Sequence, residues 1–76
     1  DVSSRVHKVL ASILEIDEMQ LKNSSVLTSD LGADSVDLME IVMALEEEFE
    51  IEILKEEGQQ MHTIADCISY VEKNTK

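Results

Sequence analysis

From Leu38 to Phe49 the apolar residues Leu38, Ile41, Val42, Leu45 and Phe49 recur at steps of three and four. When each residue advances by the helical step of 3.6 per turn, these five fall within roughly one hundred degrees of each other, the width of one buried stripe. The segment is therefore an amphipathic helix, expected to run from about Ser35 to Phe49, and a second layer must cover its stripe.

A chain of 76 residues has room for one small domain, spanning 1–76, with one core and a modest buried fraction. Val2, Val6, Val9, Leu10, Ile13 and Leu14 repeat at helical steps behind Ser3 or Ser4, either of which can cap the first turn. Thr63-Ile64-Ala65-Asp66 has the spacing of a capping box. Ile64, Ile68 and Val71 follow at helical intervals, and this last helix should end near Asn74, with Lys73 and Lys76 at the negative end of its dipole.

The connecting segments are less regular. Glu15 to Leu31 reads as a long loop pinned by Ile16, Leu21, Val26, Leu27 and Leu31, and loops of that length are usually functional. Glu50 to Leu54 alternates as a strand does, but no second strand is available to pair with it, so it reads as an extended connector. Lys55 to Met61 reads as a short, weak helix interrupted by Gly58, which costs about 1 kcal/mol relative to Ala in a helix interior. The fold class is all-α: a small four-helix bundle, three main helices plus one short helix, with a long first loop.

The formal net charge is -11. With six Lys and Arg in total, the chain cannot neutralise a phosphate backbone, which excludes a nucleic-acid binder. The segment from Asp30 to Glu52 holds nine acidic side chains and no Lys or Arg, so basic protein surfaces are its natural complement. Lone Cys67 cannot form an intramolecular disulfide, favours a reducing compartment, and is expected in or near the core. No apolar run approaches the ~20 residues of a membrane span, and no signal segment is present. The chain starts at Asp1 without an initiator Met, as a trimmed piece or a processed mature form would, and any targeting peptide would then be out of view.

A domain this small has little room for a deep catalytic cleft, which favours a binding or carrier module over an enzyme. His7 lies on the first helix and His62 in a remote polar segment, so neither is a convincing base for a nucleophile. One Cys and two scattered His do not make a zinc set. Glu46, Glu47, Glu48, Glu50 and Glu52 lack the aspartate ladder and central glycine of an EF-hand, so any divalent cation would bind weakly and diffusely.

The remaining candidate is Ser35, in the turn Leu31-Gly32-Ala33-Asp34-Ser35-Val36-Asp37-Leu38. Asp34 or Ser35 can cap the second helix, and Asp37 suits the positive end of its dipole. A helix N-terminus also favours a phosphate or a phosphate-linked group on Ser35, because unpaired N–H groups stabilise its charge. Capping alone explains the residue equally well. Opposite the buried stripe, Val36 and Met43 lie at the centre of the helix wheel with Glu40 and Glu47 beside them, a pattern that fits a docking strip.

Over Asp30 to Phe49 the sequence DLGADSVDLMEIVMALEEEF closely resembles the acyl carrier proteins of the dissociated (type II) fatty-acid synthase. The likeness extends more loosely over the whole chain, including Tyr70-Val71-Glu72-Lys73-Asn74. It implies that Ser35 is a tether for 4'-phosphopantetheine, transferred from coenzyme A by a holo-synthase, so that the chain is a phosphoprotein and a substrate of a phosphopantetheinyl transferase and not itself an enzyme. It implies that acyl groups ride as thioesters on the arm during fatty-acid biosynthesis, and that the chain is sheltered between helices of a monomer. Asp34, Asp37, Glu40, Glu46 and Glu47 would meet Lys and Arg on synthases, reductases and transferases, with Val36 and Met43 supplying apolar contact. The compartment implied is the cytoplasm of a bacterium, or the interior of a plastid or mitochondrion. A carrier of another cargo (aminoacyl, D-alanyl or polyketide) shares the tether and fold. An unmodified acidic subunit that docks through helix two needs neither.

Two positions and one segment depart from the family pattern. Val36 stands where Leu usually follows the modified Ser, Glu50 where a small residue or Asp is frequent, and Leu54-Lys55-Glu56-Glu57-Gly58 where a Pro and an acidic residue usually open the third helix.

Overall fold

The structure is a computed structural model that describes residues 1–75. Its four helices are α1 (Val2–Leu14), α2 (Ser35–Phe49), α3 (Lys55–Gly58) and α4 (Ile64–Asn74), with a single 3-10 turn at Glu18–Gln20. The all-α bundle of three main helices and one short one is thus observed. α1 packs against both α2 and α4, and Val6 and Leu10 are completely enclosed where the three meet. Ile41 and Leu45 from α2, and Ile64, Cys67 and Val71 from α4, complete that core.

The first helix starts earlier than its serines imply. Asp1, not Ser3 or Ser4, is the N-cap, and its carboxylate accepts the Ser4 N–H at 2.8 Å. At the far end of α2, Arg5 of α1 holds Glu48 twice, through the carboxylate at 2.8 Å and the backbone carbonyl at 2.7 Å. Its guanidinium also lies over the Phe49 ring, 4.4 Å from the centroid. α2 then ends on Glu50 in the left-handed region, φ 54°, a conformation that a residue with a Cβ adopts at a cost.

The long loop is held by more than its aliphatics. Leu21 and Leu27 are buried as expected, while Ile16, Val26 and Leu31 are half-buried. In addition the loop is bonded to the start of α4. Leu27 N–H donates to the His62 carbonyl (2.8 Å), Ile64 N–H to Ser25 (3.2 Å) and Ala65 N–H to Asn23 (2.9 Å). An isolated antiparallel bridge joins Val26 and Thr63. Backbone polar groups need partners once water is displaced, and here a loop and a helix end satisfy each other.

α3 is shorter than the Lys55–Met61 segment expected. It stops at Gly58, Gln59 and Gln60 form a turn, and Met61 returns to the core. One helical turn cannot sustain itself, so it is held from outside. Glu46 accepts the Ile53 N–H at 2.8 Å, and the Tyr70 hydroxyl donates to Glu57 at 2.6 Å. That bond to Glu57 pushes the Tyr70 pKa up to about 12. The expected extended connector, Glu50 to Leu54, is corrected at its start, where Glu50 is left-handed and Ile51 N–H still bonds the Glu46 carbonyl. Residues 51–54 make no strand pairing, Leu54 is extended, and Ile53 is anchored in the core.

α4 matches its expected bounds, with Thr63 and Asp66 forming the full capping box. Asp66 accepts N–H bonds from both His62 and Thr63, and its pKa is lowered by the Thr63 backbone bond above all. Lys73 lies in the last turn. Lys76 lies outside the described residues.

Candidate functional site

Ser35 is delivered by two features that lie before it. Gly32 has φ +73°, which turns the chain at low cost, and buried Ala33 donates its N–H to the Leu27 carbonyl at 2.9 Å. The turn is thereby moored to the same loop that is bonded to α4. The next residue, Asp34, is the N-cap of α2, and it settles the choice that the sequence leaves open. Its carboxylate accepts the Asp37 N–H at 2.8 Å while Asp37 accepts the Asp34 N–H at 3.1 Å, a reciprocal capping box. Capping is complete without Ser35, which is the first helical residue and is exposed.

The box uses the N–H groups of Asp34 and Asp37, and no carbonyl or side chain among the described residues takes those of Ser35 or Val36. Two backbone donors and the positive end of a fifteen-residue helix therefore face the Ser35 hydroxyl's surroundings. Those donors favour an anionic phosphodiester there, against the like charge of the two cap carboxylates, Asp34 and Asp37. No group of three or more His, Cys, Asp or Glu among the described residues is arranged to hold a metal ion.

Beside Ser35 lies an apolar groove of about 610 Å³. Leu38, Met39 and Val42 of α2 form one wall, and Ile53, Leu54, Lys55, Gly58 and Gln59 form the other. Adjoining it is a more enclosed cavity of about 310 Å³, lined by Leu38, Val42, Gly58 and Gln59 again and then by Leu27, Thr28, Ile41, Met61 and Cys67. Cys67 is fully buried, and burial pushes its thiol pKa up to about 12, so it is a neutral wall group and not a nucleophile. His62 also lines this cavity, and His7 is bonded to Asn23 through Nε2 at 3.0 Å.

The expected docking residues separate into two groups. Val36 and Met43 are exposed, at 60% and 58%, and Glu40 and Glu47 are exposed with them. Asp34 and Asp37 are partly engaged in the cap, and Glu46 is half-buried with its carboxylate on Ile53 N–H. Sequence reasoning missed Met39, which is 62% exposed and lines the groove with Ser35. Its place four residues after Ser35, on the same helix face, is the signal that could have found it. Leu54, Lys55 and Gly58 were also missed as groove residues, because only the tertiary fold brings them opposite α2.

The chain matches the family described as "phosphopantetheine attachment site" over residues 4–71. It belongs to that family. The prosthetic group of this family, 4'-phosphopantetheine, is carried on a serine, so the chain is a carrier. Its fold is also that of a solved structure provisionally named an acyl carrier protein from Mycobacterium tuberculosis. The two share 29% sequence identity, the match covers 96% of this chain and 97% of the other, and the TM-score is 0.91. No helix among the described residues of this carrier is long and apolar enough to cross a membrane.

Proposed function

We propose that Ser35 is the attachment serine and that the protein is an acyl carrier of fatty-acid biosynthesis, without catalytic activity of its own. The carrying observation is that Asp34 caps α2, which leaves the exposed Ser35 hydroxyl free at the mouth of an apolar groove. When bound, the arm supplies a terminal thiol that holds acyl groups as thioesters. The residues of the chain do the rest. Ser35 fixes the anchor, and the N–H groups of Ser35 and Val36 face its negative charge. Leu38, Met39 and Val42 offer an acyl chain apolar cover, which is worth about 0.8 kcal/mol for each methylene removed from water. A polar aminoacyl cargo gains nothing from such a groove.

Delivery to successive enzymes uses the outer face of α2. Glu40 and Glu47, with Asp34 and Asp37, steer basic surfaces towards it, while Val36 and Met43 make the apolar contact. Glu46 contributes charge from a position fixed by Ile53. Tethering raises the local concentration of cargo at each partner, which is how a monomer without a catalytic site serves a pathway. In a bacterium that work is cytoplasmic, and in an organelle it belongs to the plastid or mitochondrial interior.

Incubation with coenzyme A and a phosphopantetheinyl transferase is expected to add one arm, seen by intact mass spectrometry, and Ser35→Ala to abolish it. No adduct, or an adduct that survives Ser35→Ala, would sink the reading. The modified protein is then expected to accept malonyl groups from an acyl transferase in preference to amino acids from a ligase, and the opposite preference would assign another cargo.

A further inference from the structure

Of the four methionines in the chain, Met61 is buried in the core and the other three are exposed, Met19 at 90%, Met39 at 62% and Met43 at 58%. Met19 lies in the 3-10 turn of the long loop. Met39 and Met43 lie on α2, four residues apart and so on one helix face. At about 100° per residue, Val36, Met39 and Met43 fall within roughly sixty degrees of each other, across the helix from Ile41 and Leu45. The two thioethers therefore occupy the outer stripe of α2, where Glu40 and Glu47 are exposed beside them.

Contact area alone does not call for a thioether in such a place. Leucine fills a similar volume and favours a helix as well as methionine does. What methionine adds is a sulfur that peroxide converts to a sulfoxide, turning a flexible apolar side chain into a polar one. In that step the O–O bond of hydrogen peroxide breaks and an S–O bond forms. Sulfur loses two electrons, the sulfoxide keeps one oxygen and the other leaves as water. Hydrogen peroxide is uncharged, so the field of the acidic face does not repel it. Cys67 does not compete for the oxidant, because its thiol is fully buried and stays protonated.

We propose that Met39 and Met43 form a paired oxidation site, and that their conversion to sulfoxides by hydrogen peroxide weakens the docking of basic partner enzymes on the outer face of α2. The inference rests on the docking face proposed above. In the reduced state both side chains offer apolar surface to a partner. Each sulfoxide carries an oxygen into that contact, and an oxygen buried there without a fitted donor gives up its bonds to water. The loss of affinity is on the order of tenfold for each. The fold is left intact, since neither side chain belongs to the core. A sulfoxide reductase that draws on a dithiol, yielding a disulfide and water, returns the thioether and with it the docking face.

The test uses the full chain before its arm is attached, so that no arm thiol reacts, with a phosphopantetheinyl transferase as the partner that must dock beside Ser35. The protein is treated with hydrogen peroxide, freed of it and mapped by peptide mass spectrometry, and attachment of the arm from coenzyme A is followed for KM and kcat. One added oxygen is expected on each of Met19, Met39 and Met43 and none on Met61, with the helical circular dichroism unchanged. KM is expected to rise about tenfold or more with kcat little changed, and sulfoxide reductase with dithiothreitol to reverse the rise. Met19→Leu is expected to show the same rise as the parent. The double variant Met39→Leu with Met43→Leu, compared with itself before and after peroxide, is expected to show none. The proposal is overturned if Met39 and Met43 do not oxidise ahead of Met61, or if KM does not rise once they have. A rise that survives in the double variant, or one accompanied by loss of helix, overturns it as well. Failure of the untreated parent to accept the arm overturns the acyl-carrier reading itself and removes this inference with it.

Discussion

Helices α2 and α4 begin with the same device and put it to different uses. Each opens on a capping box, Asp34 with Asp37 in one and Thr63 with Asp66 in the other. At α4 the next two N–H groups, of Ile64 and Ala65, are taken by the carbonyls of Ser25 and Asn23, and Ile64 is fully buried. At α2 the equivalent N–H groups, of Ser35 and Val36, have no such partners among the described residues, and both side chains are exposed. One helix start is closed by a loop and serves the core. The other is left open and serves a ligand. A helix end is therefore read less by its cap than by what meets the two donors that follow it.

The closed end should suffer most when its box is broken. Asp66→Ala removes the acceptor for two backbone N–H groups, His62 and Thr63, in the segment that also bonds to the loop. We expect a loss of about 1 to 2 kcal/mol at pH 7, measured by urea denaturation. The pH dependence has a definite sign. Because the folded pKa of Asp66 lies below its ordinary value of 3.8, the carboxylate's stabilisation is fully present above that value and is lost as pH falls through the folded pKa. The gap between parent and variant should therefore close only in acid below the ordinary Asp range. A gap that persists unchanged through and below that acid range would show that Asp66 acts through packing and not through charge.

At the open end Asp34→Ala should cost less, about 1 kcal/mol, since its carboxylate accepts one backbone N–H, that of Asp37, where Asp66 accepts two. The same measurement applies. A neutral result would mean that the Ser35 hydroxyl takes over as cap, and the contrast between the two helix starts would then fail.

Much of this contrast was legible before the structure. The stripe of Leu38, Ile41, Val42, Leu45 and Phe49 placed α2, and the Thr63 to Asp66 spacing placed the start of α4, because both signals lie within a few residues of each other. The α1 cap is Asp1, two positions before Ser3, and its carboxylate is a stronger acceptor than the hydroxyl of either serine. What the sequence could not show is non-local. The bonds from Asn23 and Ser25 to α4 join residues about forty positions apart, and the groove exists because Leu54, Lys55 and Gly58 fold back across Leu38 and Val42. α3 was overextended for the same reason, since its end is set by Met61 entering the core and not by helix propensity.

The smallest expected effect is the sharpest test of the open end. Ser35→Ala should change stability by less than about 0.5 kcal/mol, because the hydroxyl is exposed and Asp34 and Asp37 already fill the box. Alanine is also the better helix former, so any shift should lie on the stabilising side. Denaturation midpoint and slope must both be compared, since a changed slope reports an altered denatured state and not a lost bond. A loss near the 1 kcal/mol of a working cap would return Ser35 to the role of a structural serine, and its expected loss of modification would no longer separate function from folding. A silent substitution in stability joined to a complete loss of the arm would be the signature of a residue kept for chemistry alone.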